Sequence, residues 1–191
     1  MAPPVERKWF VPHVSDDFYL VVARLVPHKH VDLAIRACEQ LGLPLVVAGS
    51  GRYGAHLHKM AGPSVRFTGF VADDQLRDLY SRARAVLVPS EEEFGLVALE
   101  AQAAGTPVIA YDAGGSKETV VDSVTGVRFA PQTVEGLVSG IERSREYQWN
   151  RGAIQANAAR FDEARFRREL LGVIDRHLNE PATDLLGAAR A

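Results

Sequence analysis

Short apolar runs, each followed by a stretch with helical spacing, recur along this chain and leave it few folds to choose from. Residues 18–23 (FYLVVA) form a continuous run with the length and β-branched content of a buried strand. Residues 31–41 then place apolar side chains at helical spacing, with Arg36, Glu39 and Gln40 opposite. Further strands read at 44–48, 65–68, 85–88 and 107–111, a short one at 127–129, and a helical stretch at 73–84. Strands apolar on both faces that alternate with helices predict an α/β chain with a doubly wound parallel sheet. A ligand of such a sheet lies outside the carboxyl ends of the strands, here in the loops after residues 23, 48, 68, 88 and 111.

The 191 residues, 47% apolar and 24% charged, suit one such domain and not two. Residues 1–16 carry three prolines and no period, and read as a linker or arm. The domain is expected over 17–178, closing with two or three amphipathic helices, and 179–191 read as a flexible tail. A net charge of −2 gives no basic surface for nucleic acid, so a bound anion must be held by placed groups. Cys38, the single cysteine, excludes an intrachain disulfide and reads as a small buried hydrophobe. No run approaches the roughly 18 apolar residues of a spanning helix, and no leader is legible after Met1, so a cytoplasmic protein is expected.

Several clusters could carry chemistry. Gly49-Ser50-Gly51-Arg52-Tyr53-Gly54 follows a strand as G-x-G-x-x-G, which reads as a tight turn, as a loop approaching a ligand, or as the fingerprint of an NAD(P)-dependent oxidoreductase. The last needs an acidic residue ending the next strand, and Arg66-Phe67-Thr68-Gly69-Phe70 has none. Arg24 and Lys29 flank the loop leaving the first strand, where two cations suit a diphosphate and a leaving group gaining negative charge. A helix starting near Gly95 puts Glu100 in the middle of its apolar arc, with Ala98 and Gln102 outermost. A carboxylate there needs a partner, such as a ribose diol or a basic side chain. The same helix start offers free N–H groups from Phe94 to Val97 to oxygen atoms of a ligand. Glu91, Glu92 and Glu93 read mainly as a solvated helix start. His28-x-His30 and His56-x-His58 lack further ligands at metal spacing, no Asp-x-Asp is present, and no metal site is expected.

Taken in order, Arg24, Lys29, Gly49-Ser50-Gly51, Phe67-Thr68-Gly69-Phe70-Val71, the stretch from Pro89 to Ala110 (PSEEEFGLVALEAQAAGTPVIA) and Gly114-Gly115-x-x-Glu118 resemble the retaining GT-B glycosyltransferases of family four. The likeness covers residues 18–178 and includes the Glu-x7-Glu signature as Glu92 and Glu100. The variant around Glu92 looks most like mannosyltransferases that use GDP-mannose.

That resemblance implies the carboxyl-terminal, Rossmann-like half of a GT-B fold. It implies that Arg24 and Lys29 neutralise the donor diphosphate and that Glu100 accepts from the ribose hydroxyls. Glu92, with the backbone amides of Phe94, Gly95 and Leu96, would hold the transferred sugar, and the main chain at Phe70 and Val71 would meet the base. Gly51 belongs to the donor-binding turn. The implied donor is a GDP- or UDP-linked sugar, with no metal and no other cofactor. The partner is an amino-terminal GT-B domain that this chain lacks, and any peripheral membrane contact would run through it. Alone, the chain is expected to bind donor but transfer sugar slowly or not at all. A non-catalytic sugar-nucleotide-binding module and an oxidoreductase are the alternatives.

Overall fold

The computed structural model describes residues 4–9 and 16–179. Six strands, β1 (Tyr19–Val22), β2 (Leu45–Ala48), β3 (Val65–Gly69), β4 (Ala85–Val88), β5 (Val108–Tyr111) and β6 (Gly126–Phe129), form one sheet in the order β3-β2-β1-β4-β5-β6. Every neighbouring pair is parallel. This is the doubly wound, Rossmann-like sheet that the apolar runs predict, and its strand order reverses between β1 and β4.

Both faces are covered, as continuous apolar strands require. Leu20, Val86, Val88, Val108 and Ala110 point into one core with α3 (Asp73–Arg82), α4 (Leu96–Ala103) and α7 (Arg151–Ala159). Their neighbours Tyr19, Val21, Ala85, Leu87 and Ile109 point into the other, with α1 (Val31–Gln40), α2 (Gly54–Met60) and α6 (Val134–Arg145). Cys38 lies in this second core, where burial pushes its thiol up to about 12. A short α5 (Ser116–Thr119) and a mostly exposed α8 (Glu163–Asn179) complete the order, and the rest of the expected tail lies outside the described residues.

Two expectations are corrected. Ala98 and Gln102 are not on the outer side of α4, because both are fully buried. α7 covers the face they occupy: Asn157 Nδ2 donates to Gln102 Oε1 at 2.7 Å and to the Thr119 carbonyl at 2.9 Å, and Gln102 Nε2 donates to that same carbonyl at 2.9 Å. Gln102 is therefore a satisfied core amide. Within the expected arm, Val5 and Trp9 are likewise packed against the domain. Val5 donates its amide to the Phe161 carbonyl at 2.8 Å, a 3-10 turn follows over Arg7–Trp9, and Val5 and Trp9 are 2% and 4% exposed.

Candidate functional site

The strand order places a crevice at the carboxyl ends of β1 and β4, and the register opens it. β1 pairs with β2 along all four residues, but with β4 only at Tyr19 and Leu20. The strands part beyond Leu20 and Val86, and a cleft of about 150 Å³ lies between Val22 and Val88, bounded by Arg24, Lys29, Ser90 and Glu92. It continues into a larger, more apolar cleft of about 460 Å³ walled by Ala48, Gly49, Ser50, Phe70, Val71 and Leu76. Arg24 and Val97 line both.

Arg24 is exposed at this junction and has no acidic partner among the described residues. Lys29 is paired instead: its ammonium donates to Glu92 Oε1 at 2.8 Å and to Oε2 at 2.7 Å. Ser90, 2% exposed, donates its hydroxyl to the same Oε1 at 2.5 Å. Of the three consecutive acids only Glu92 is turned into the cleft, and Glu91 and Glu93 stay exposed. The loop carrying it is clamped by the glycine pair after β5: the Gly115 amide donates to the Glu92 carbonyl at 2.7 Å, and Glu92 pairs with Gly114 as an isolated bridge. A Cβ at Gly115 would run into the Phe94 backbone, so the pair is glycine for close approach. Glu118 is exposed on α5.

Gly95 at φ +93° caps α4, and among the described residues no side-chain cap hydrogen bond is made there. The amides of Leu96 and Val97 have no intrahelical acceptor and stand at the rim. Phe70 and Leu96 are 84% and 42% exposed, and Phe70 walls the larger cleft. Gly49 and Ser50 line the larger cleft, whereas Gly51 does not. A Cβ at Gly51 would meet the Leu25 carbonyl, and the Leu25 amide donates to Ser50 O at 3.0 Å, so this turn locks the β2 loop onto the β1 loop. The other histidine pair is occupied in packing: His56 stacks on Tyr53 and His58 lies against Phe67.

Glu100 stands one turn behind Val97. Its hydrogen-bond partner is a phenol and not a basic group: Tyr80, fully buried on α3, donates its hydroxyl to Glu100 Oε2 at 2.9 Å. Burial pushes the Glu100 carboxyl up to about 7, against the opposing hydrogen bond from Tyr80 and the charge of Lys8. Trp9 meets the Tyr80 ring edge-on at 5.6 Å between centroids. Sequence reasoning missed Ser90, Tyr80 and Trp9. Ser90 lies two residues past the end of β4, and Val5 and Trp9 are spaced four apart, which are the signals that could have found Ser90 and Trp9.

Residues 6–161 match the profile of the family described as Glycosyl transferases group 1. The chain belongs to that family. Among curated glycosyl transferases it is 38% identical over 142 residues to the glycosyltransferase MJ1607 of Methanocaldococcus jannaschii, covering 68% of this chain and 36% of that one. It is 34% identical over 138 residues to the GDP-mannose-dependent alpha-(1-6)-phosphatidylinositol monomannoside mannosyltransferase of Mycobacterium tuberculosis, covering 63% and 36%. The structure of Anabaena HepE in complex with UDP and glucose superimposes with a TM-score of 0.73 at 26% identity, over 83% of this chain and 48% of that one. The chain thus spans about a third of the length of these curated glycosyl transferases. The GT-B resemblance is borne out, and no helix among the described residues is long and apolar enough to cross a membrane.

Proposed function

We propose that this chain binds the nucleotide-sugar donor of a retaining hexosyl transfer at the β1–β4 crevice, with GDP-mannose the leading donor and UDP-glucose the main competitor. The observation that carries the reading is Arg24, without an acidic partner among the described residues, in the same crevice as the Lys29–Glu92 pair and the amino end of α4. Arg24 forks onto the diphosphate, and Lys29 turns part of its donor capacity from Glu92 to the departing phosphate. Glu92 and the amides of Phe94, Gly95 and Leu96 hold the sugar, Glu100 accepts from the ribose, and the backbone at Phe70 and Val71 borders the base.

The fixed cations do the work of a metal in this reading. The acceptor hydroxyl attacks C1 from the face that the nucleoside diphosphate leaves; the new C1–O bond forms as the C1–O bond to the diphosphate breaks, and the hydroxyl proton passes to the departing phosphate oxygen. The acceptor is held by an amino-terminal GT-B domain, so this chain by itself binds donor and transfers sugar slowly or not at all. Any membrane contact belongs to that domain, and the cytoplasm is the proposed compartment.

Calorimetric titration with GDP-mannose, UDP-glucose and the free diphosphates tests the reading. It expects saturable binding of at least one donor, weakened tenfold or more by Arg24→Ala. No binding of any of them overturns it.

A further inference from the structure

Tyr80 is held at both ends of the residue. Its carbonyl accepts from Thr106 Oγ1 at 2.6 Å, its ring is buried against Trp9, and its hydroxyl is committed to Glu100 Oε2 at 2.9 Å. Glu100 therefore has one oxygen fixed, and among the described residues no hydrogen bond reaches Oε1, which is left for an outside donor. Leu76 and Val97, one turn ahead of Tyr80 and Glu100 on their helices, wall the apolar cleft. Neither Tyr80 nor Glu100 lines the cleft itself; both stand one turn behind its wall, and helical side chains lean toward the amino end of their helix, which here is the cleft side.

We propose that Tyr80 is a positioning residue for Glu100, and that through it the donor site selects a ribonucleotide over a 2′-deoxyribonucleotide. This rests on the reading of Glu100 as the ribose acceptor. The hydroxyl does two things for the carboxylate. It fixes the rotation that aims Oε1 at a diol, and it stabilises the ionised form that accepts best from two sugar hydroxyls. The other charged groups facing Glu100 are Lys8 and Glu6 in the amino-terminal segment and Asp73 on α3; the two acids oppose the ionised form and Lys8 favours it.

The test titrates GDP with 2′-deoxy-GDP, and UDP with 2′-deoxy-UDP, against wild type, Tyr80→Phe and Glu100→Gln from pH 6 to pH 8. Taking the ribo-to-deoxy ratio cancels the titration of the terminal phosphate. Wild type is expected to prefer the ribonucleotide by about tenfold or more, with the preference growing as pH rises through about 7. Tyr80→Phe keeps the ring and its contact with Trp9. It should lose most of that preference at pH 7, regain part of it at pH 8, and bind the deoxynucleotide as wild type does. Equal weakening of both nucleotides, or an unchanged ratio and pH profile, overturns the proposal. A ratio that survives Tyr80→Phe but not Glu100→Gln removes the positioning role alone. One that survives Glu100→Gln, or no binding at all, removes the ribose reading with it.

Discussion

The ammonium of Lys29 sits between the two carboxylate oxygens of Glu92, at 2.8 and 2.7 Å, on the wall of the crevice where β1 and β4 separate. A cation placed for a phosphate is thus already neutralised by the residue read as the sugar holder. Donor binding has to share or exchange that partner. Glu92→Gln should therefore release Lys29, so that a free nucleoside diphosphate binds as tightly as to wild type or several-fold tighter, while Lys29→Ala weakens it tenfold or more. Calorimetry on both variants checks this; a tenfold loss for Glu92→Gln contradicts it. Both side chains are part-exposed, so the pair should add only about 1 kcal/mol or less to stability.

Glu100 makes stability depend on pH in a direction opposite to that of a salt-bridged acid. Its folded carboxyl titrates near 7, against an ordinary value of 4.5. Between those values the folded protein keeps a proton that the unfolded chain has released, so this residue's contribution is full below pH 4.5 and falls as pH rises to about 7. Melting temperatures of wild type and Glu100→Gln should diverge across that window, the variant gaining on wild type as pH rises. Parallel curves would contradict it.

Gly115→Ala puts a Cβ into the Phe94 backbone and pushes on the loop that carries Glu92. It should destabilise the chain by about 2–3 kcal/mol, and weaken donor binding through displaced Glu92 and Phe94. Urea unfolding with a parallel donor titration measures both effects. An unchanged midpoint would mean that the glycine pair does not clamp the loop.

Phe70 presents the opposite case, since an exposed ring at the cleft rim has little to lose in the fold. Phe70→Ser should leave stability within about 0.5 kcal/mol, while donor affinity drops several-fold through the lost wall of the apolar cleft. A large loss of stability with unchanged binding would show the ring to be structural.

The strands were legible because a strand buried on both faces has to be apolar throughout, as in Leu45–Ala48 and Ala85–Val88. Strand order was not written in any one run, yet the rule that ligands gather at strand carboxyl ends led to Arg24, which lines the crevice, while Ser90 beside it was missed. α4 was harder. Its alanine-rich surface has no polar side, and the helix that covers Gln102 lies some fifty residues later, where Asn157 closes the polar gap. Glu100 was found as a carboxylate on an apolar arc, but its partner was not, because Tyr80 reads in sequence only as one more apolar position of α3. Glu91, Glu92 and Glu93 are chemically equal in the chain; Ser90, Lys29 and Gly115 make one of them different only after folding.

The most direct measurement of the central claim is a crystal structure of this chain soaked with GDP-mannose or UDP-glucose. The account predicts the diphosphate beside Arg24 at the amino end of α4, the ribose within hydrogen-bond reach of Glu100 Oε1, and the base in the cleft walled by Phe70 and Val71. Donor density elsewhere on the chain, with Arg24 and Glu100 untouched, would contradict it.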